Sequence, residues 1–387
     1  VTSAAPDRGP LTGLRVLEVA TLFAAPQVAT MLGDLGADVV KVEPPAGDPL
    51  RRTGQGRAGR SSAWELIGRN KRSIVLDLAS GAESPDRATF RELVGVADVL
   101  VENLPDALRA RWGCDDGTLH ATNPALVVVS VSCYGRTGPY ADRPGAGTLA
   151  EAFAGLTHMT GEADGPPMLA SVAIGDTLTA FAGVIGALAA CWARDARGVS
   201  GRLVDVSMYE PLLAVMAGTI AGWDPDGPAP TRRGSRVAGG VPRNVYRTRD
   251  GRYVAVSGTT DPQVARVLEI IGRTAPDDLA RYAHADDRTR HADELDALVG
   301  DWVSQHDRDH VVRTLLDARV GVSPVNDVAD VCADPQVHHR TSLVGVDGLD
   351  SFMVPAPLPD MSGPRRTPSR APALGADRDS VLAEWLA

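Results

Sequence analysis

Residues 15–43 read RVLEVATLFAAPQVATMLGDLGADVVKVE. Two short apolar runs, 15–20 (RVLEVA) and 38–43 (DVVKVE), bracket a helical pattern running from Pro26 to Gly36. Strand, helix and strand in that order make one βαβ unit, and such units imply a parallel sheet with both faces covered. Further strands are expected at 73–78, 98–102 and 126–132, with helical segments between them. Right-handed crossovers then arrange the N-terminal part as a doubly wound, Rossmann-like layer, so the fold class is α/β.

The chain has 387 residues, enough for a large and a small core. Its 44% hydrophobic and 23% charged content is that of a globular enzyme rather than a disordered segment. A net charge of −10 argues against nucleic acid and anionic membrane as partners, so any anionic ligand needs local Arg, Lys and backbone N–H groups. The four cysteines (Cys114, Cys133, Cys191, Cys332) stand singly, which suits reduced thiols in a cytoplasmic protein. Residues 1–10 lack a signal-peptide pattern. The apolar stretch 178–193, rich in Ala and Gly, reads as a buried helix rather than a membrane span.

Beyond the first layer, 224–236 (DPDGPAPTRRGSR) reads as a linker, because Pro, Gly and charge replace apolar periodicity. Two β-runs, 245–248 and 252–257, then flank Asp250-Gly251, a hairpin turn signal. The expected division is a large domain over 1–222, a linker and small α+β domain over 223–322, and a C-terminal segment, 323–387, returning to the large domain. That last segment is expected to end in a helix near 379–386.

A Rossmann-like layer invites a dinucleotide site, whose Gly-x-Gly-x-x-Gly turn lets the backbone approach a pyrophosphate. Here the first strand–helix junction, residues 20–26 (ATLFAAP), holds no glycine, and no P-loop pattern occurs. No Gly-x-Ser-x-Gly elbow is present either. His306 and His310 share a helical spacing but lie in a charged QHDRDH run without a third ligand, so no metal site is expected. Cys133 has no paired base in the sequence around it and reads as a small buried residue.

A series of short segments resembles the family III CoA-transferases, a group with formyl-CoA transferase and carnitine CoA-transferase, to which alpha-methylacyl-CoA racemase is related. The matching pieces are 10–18 (PLTGLRVLE), 35–43 (LGADVVKVE), 70–77 (NKRSIVLD), 97–103 (ADVLVEN), 134–139 (YGRTGP) and 174–176 (IGD). Further on come 250–253 (DGRY), 321–325 (GVSPV) and 334–336 (DPQ). Their order and spacing carry the resemblance, which runs from about residue 10 to 375. It implies a Rossmann-like large domain, a small domain and a homodimer of interlocked ring-shaped subunits.

By the same resemblance, Asp176 is the nucleophile. Its carboxylate attacks an acyl-CoA thioester to give a mixed anhydride and CoA thiolate. The thiolate then attacks the aspartyl carbonyl, releasing the donor acid and leaving an aspartyl-CoA thioester, and an acceptor acid runs the sequence in reverse. Coenzyme A and acyl-CoA are thus substrates, with no permanently bound cofactor. From its place after Gly175, Asp176 is expected to cap the helix that follows, whose N-terminus would favour the carboxylate.

The resemblance also implies CoA contacts. Thr21, Leu22, Phe23 and Ala24 match the turn whose backbone meets the adenine side. Leu76, Asn103 and Leu104 match other contact positions, and Arg111 matches an arginine at the phosphate end, where a planar guanidinium suits bidentate contact. Gly239-Gly240 matches a glycine-rich loop over the site. Three positions depart from the family pattern: Ala79 replaces a common lysine, and Ala146 and Gly147 replace the histidine and aspartate of the racemase or the tyrosine and glutamate of formyl-CoA transferase. Loss of the racemase histidine removes one of two bases needed at the α-carbon, which favours transfer over the first alternative, an acyl-CoA racemase or isomerase; a catalytically silent CoA-binding protein is the other alternative.

Overall fold

A computed structural model describes residues 9–54, 56–57, 60–236, 240–361 and 367–387. The chain divides into two compact units, each described by itself. The first comprises residues up to Thr157, Leu169–Pro228 and His339–Ala387; the second comprises His158–Met168 and Ala229–His338.

The first unit is built on six parallel strands: β1 (Arg15–Val19), β2 (Asp38–Glu43), β3 (Lys71–Val75), β4 (Val99–Glu102), β5 (Val127–Ser132) and β6 (Leu203–Ser207). Their order is β3-β2-β1-β4-β5-β6, the doubly wound arrangement that the opening βαβ unit suggested. Side chains alternate between two buried faces. Val16, Val39, Val99, Val101, Val127 and Val129 enter one core, and Leu17, Val40, Val42, Ile74, Leu100 and Val128 the other.

The expected strand at 73–78 is shifted: pairing begins at Lys71 and ends at Val75, while residues 76–79 leave the sheet. Strand β6 is absent from the sequence reading. It is an edge strand whose LVDVS run is broken by Asp205, a polarity that edge positions tolerate. Gly201 precedes it against the backbone of Leu126, where a Cβ would stand 2.1 Å from the carbonyl oxygen.

On the first face lie the helix Ala24–Asp34 and the 24-residue helix Ile174–Arg197. The latter is longer than the 178–193 expected and is, by length and composition, long enough to cross a bilayer. Its inner face nevertheless lies in the core through Gly183, Ala187 and Ala190. A Cβ on Gly183 would come within 2.6 Å of Val28, so glycine sets how closely the two helices approach. Phe181, Ile185 and Trp192 are exposed on the same helix.

The C-terminal helix Arg378–Trp385 closes the second face. Trp385 donates its indole N–H to Asp38 at 2.7 Å, and Glu384 pairs with Arg72 at 2.8 Å.

In the second unit an antiparallel sheet, β7 (Arg243–Arg247), β8 (Tyr253–Ser257) and β9 (Gly321–Pro324), has the order β9-β8-β7. The expected turn joins β7 to β8, with Gly251 at φ +75°. The helices Asp261–Ile270, Ala292–Ser304 and Arg308–Asp317 supply Val264, Leu295 and Val311 to its core. Buried Asp296 accepts from Tyr246 Oη at 2.6 Å and Arg236 Nε at 2.5 Å.

Candidate active site

Strand order reverses on either side of β1, and in open parallel sheets ligands occupy the crevice beyond the carboxyl ends at such a point. A cavity of about 240 Å³ lies there. Its walls are the ends of β1 and β2, residues 76–79 after β3, residues 103–105 after β4, and Leu108 and Trp112 of the helix Asp106–Trp112. Among the residues expected to contact CoA, Thr21, Leu76, Asn103 and Leu104 line this cavity. Leu22, Phe23 and Ala24 continue the turn from Thr21 into the helix Ala24–Asp34 and are not part of the lining. Arg111 is exposed on the helix Asp106–Trp112, also outside the lining, and its carbonyl accepts from Arg87 at 2.9 Å. Ala79 lies in the cavity wall.

Side chains from neighbouring strands hold this glycine-free turn. Leu22 sits at φ +68°, a conformation costly for a branched residue, so the flanking groups must be fixed. Asn103 Nδ2 donates to Thr21 O at 2.9 Å, and Asn103 Oδ1 accepts from Thr21 N at 3.1 Å. Lys41 Nζ donates to Ala20 O at 2.7 Å, and Lys71 Nζ donates to Pro26 O at 2.8 Å, so the two ammonium groups hold both ends of the turn.

Both lysines are buried and share Glu18, at 2.5 and 2.7 Å, while Asp48 stands 2.9 Å from Lys41. Burial pushes Lys71 down to about 8, with Glu18 opposing the shift. Burial acts on Lys41 in the same sense, but Glu18 and Asp48 outweigh it and hold that group above its usual value. Lys71 and Arg72 therefore serve the fold: Arg72 pairs with Asp38 at 2.5 Å and with Glu384.

On the other side of the crevice, Leu104 N donates to Glu102 Oε2 at 2.6 Å. Arg136, within the YGRTGP segment, donates to Glu102 at 2.9 Å, to Ser130 Oγ at 2.5 Å and to Leu104 O at 2.8 Å.

Asp176 is the third residue of the helix Ile174–Arg197, whose N-cap is Ala173. The expected capping role is therefore corrected: the helix starts three residues earlier, and Asp176 lies in its first turn. At the other end, Arg194 reaches Asp98 at 3.2 Å and Ala125 O at 3.3 Å, residues just before β4 and β5. The helix thus runs from the carboxyl edge of the sheet to its amino edge, and Asp176 shares the carboxyl edge with the cavity.

Gly147 opens the helix Gly147–Phe153 directly against Asp176, and a Cβ there would lie 2.3 Å from Asp176 Oδ2. A Cβ on Gly175 would meet Gly147 O at 2.8 Å, and one on Gly145 would meet Cys133 Sγ at 2.2 Å. Three glycines thus permit the close approach of these segments.

Burial, and then the charge of Glu151, hold the Asp176 carboxyl above its ordinary range. Glu151 is itself buried, with Oε1 accepting from Gly175 N at 3.0 Å. The sequence reading missed it. Its signal was a lone acid in the apolar run Leu149-Ala-Glu-Ala-Phe153, four residues after Gly147. Tyr134, Tyr140 and Tyr209 gather edge-on around Phe153, at centroid distances from 5.1 to 6.0 Å.

Gly239 of the expected glycine loop lies outside the described residues; Gly240 stands against Thr259. Among the described residues no cluster of three or more His, Cys, Asp or Glu is placed to hold a metal ion. His306 and His310 stack on each other at 4.8 Å.

Comparison with known proteins gives a consistent result. Residues 11–378 match the model of CoA-transferase family III. The beta subunit of succinyl-CoA–L-malate CoA-transferase from Chloroflexus aurantiacus is 35% identical, over 97% of this chain and 94% of its own. Succinyl-CoA–D-citramalate CoA-transferase of the same organism is 33% identical over 100% of this chain and 96% of its own. A crystal structure of a CAIB/BAIF family protein from Brucella suis superposes with a TM-score of 0.85 at 30% identity, covering 97% of this chain and 99% of that one. With a glycine-free turn at the switch point and an aspartate at the same sheet edge, this chain belongs to CoA-transferase family III.

Proposed function

We propose that the protein moves coenzyme A from an acyl-CoA to a carboxylic acid through a covalent aspartyl-CoA thioester on Asp176. The observation that carries the reading is the placing of Asp176: a half-buried carboxylate in the first turn of a long helix, on the sheet edge that also bears the cavity. The switch-point cavity takes the CoA, with Thr21, Leu76, Asn103 and Leu104 in its wall. Leu22, Phe23 and Ala24 extend the contact along the turn, and Arg111 meets a phosphate from the surface of its helix.

Asp176 attacks the thioester carbonyl, forming an anhydride and expelling CoA thiolate. The thiolate attacks the aspartyl carbonyl, the donor leaves as its carboxylate, and Asp176 carries CoA. An acceptor carboxylate attacks the aspartyl-CoA, CoA thiolate leaves and then attacks the acceptor acyl carbon, and Asp176 returns as a carboxylate. Each step exchanges one acyl bond for another, so no ATP is consumed. Of the backbone N–H groups in the helix's first turn, those of Ile174, Gly175 and Thr177 are engaged by Val172 O, Glu151 and Ala173 O, so that of Asp176 is the donor proposed for the developing oxyanions.

Succinyl-CoA is proposed as the donor and a dicarboxylic acid as the acceptor, since both Chloroflexus relatives carry that pairing in their names. A homodimer is proposed as the working form, supported by the apolar face that Phe181, Ile185 and Trp192 expose on the helix Ile174–Arg197.

Peptide mass spectrometry after brief incubation with succinyl-CoA, with hydroxylamine trapping, tests the reading. A hydroxamate on Asp176 is expected. No adduct from any acyl-CoA, alongside CoA binding, would overturn it.

A further inference from the structure

We propose that Glu151 is a positioning residue for the transfer: its buried carboxylate holds the backbone next to Asp176 and, as a second negative charge, drives Asp176 toward its uncharged, CoA-bearing state. The inference rests on Asp176 being the residue that is acylated.

Glu151 is 1% exposed, an unusual setting for a glutamate. Among the described residues no cation is paired with it, and its one hydrogen bond is the 3.0 Å acceptance from Gly175 N. That bond fixes the Ile174–Gly175 peptide, one residue ahead of Asp176. The helix Gly147–Phe153 that carries Glu151 also carries Gly147, whose missing side chain leaves the space in which the Asp176 carboxylate lies.

The other titratable groups around Asp176 do not replace this charge. Cys133, after β5, couples to Asp176, but burial raises its thiol pKa and keeps it neutral. The helix Ala24–Asp34 carries one acid, Asp34, at its far end and paired with Arg69 at 2.6 Å. On β6, Asp205 accepts from Arg136 N, and Glu210 of the helix Glu210–Ala221 accepts from Ser207 at 2.5 Å. The charged residues of Asp176's own helix, Arg194, Asp195 and Arg197, lie at its opposite end.

The electrostatic consequence follows from the reaction. Free Asp176 is an anion beside an anion in a half-buried site, where repulsion is screened less than in open water. Conversion to the anhydride or to the CoA thioester removes the charge of Asp176, and the donor leaves with that charge as its carboxylate. Each acylation therefore relieves the repulsion, as protonation does. Glu151 raises the affinity of Asp176 for an acyl group and for a proton for one reason.

The test equilibrates the enzyme with succinyl-CoA and succinate at a fixed ratio, quenches in acid and measures the CoA-bearing fraction by intact mass. Glu151→Gln keeps an oxygen for Gly175 N–H and removes the charge. It is expected to lower that fraction about fivefold or more and to move the acid limb of adduct formation to lower pH. Glu151→Ala, lacking the hydrogen bond as well, is expected to slow formation further.

A wild type without adduct would overturn the reading of Asp176 itself. A wild type with adduct, and a folded Glu151→Gln with the same fraction and the same acid limb, would overturn the role of Glu151 alone. Should Glu151→Gln fail to fold, Glu151→Asp and Glu151→Ala decide: the aspartate, which keeps the charge, is expected to keep the CoA-bearing fraction that the alanine loses, and equal fractions in the two overturn the role of Glu151.

Discussion

The side-chain amide of Asn103 closes on both polar groups of the Thr21 backbone, donating to its oxygen at 2.9 Å and accepting from its nitrogen at 3.1 Å. Two loops from adjacent strands are thereby locked face to face across the mouth of the cavity.

Asn103→Ala removes both bonds while leaving the strands intact. Acyl-CoA binding is expected to weaken about tenfold, the effect of about 1.4 kcal/mol. Equilibrium binding of CoA measured by calorimetry checks this, and unchanged affinity would show that the turn needs no such lock.

Lys71→Met leaves Glu18 with one cation instead of two. Breaking a buried ion cluster in this way is expected to cost about 3–5 kcal/mol of stability, read from denaturant melts. The pH dependence has a definite sign. A lysine held at about 8 when folded and at its ordinary 10.5 when unfolded gives a folded chain with fewer bound protons between those values. Its contribution to stability therefore rises with pH across about 8 to 10.5, an increment expected in the wild type and absent from Lys71→Met.

Gly147→Ala places a methyl group where Asp176 Oδ2 lies, at 2.3 Å in the present geometry. Displacing the carboxylate by about 1 Å is expected to lower kcat about 100-fold with little change in the affinity for CoA. Steady-state rates and the trapped adduct, measured together, check it.

Ile185→Glu puts a charge on the exposed apolar face of the helix Ile174–Arg197, where Ile185 is 68% exposed. Light scattering after size exclusion is expected to shift from dimer toward monomer, with the stability of the monomer altered by no more than about 0.5 kcal/mol. An unchanged dimer would place the subunit contact elsewhere.

Much of this architecture was legible because it rests on local pattern. The runs at β1, β2, β4 and β5 announce themselves as apolar segments, and the Asp250-Gly251 turn as a residue pair suited to positive φ. β6 was hidden because Asp205 breaks its run, and its partner is a strand more than 70 residues earlier. Glu151 was hidden for a related reason: its significance lies in a contact with Gly175, and the sequence alone shows an ordinary glutamate in a helix. The start of the helix at Ile174 was misplaced because Asp176 is a good capping residue, and the true N-cap, Ala173, offers no side-chain signal. The absence of glycine after β1 argues against a dinucleotide fingerprint, yet it gave no hint that Asn103, Lys41 and Lys71 hold the turn instead.

The clamping of that turn has a consequence for how the protein acquires its affinity. A glycine-rich loop can take its shape almost on its own, but this one is held by groups that lie 21, 45 and 82 residues further along the chain. The pocket therefore exists only once four strands are aligned, and a nascent or partly unfolded chain has no such cavity to offer a ligand. Ligand present during refolding would act as a late selector, leaving the early events untouched and holding the finished sheet in place by mass action. Protection of the amide hydrogens of β1 to β4 should then rise together, as one block, when coenzyme A is added.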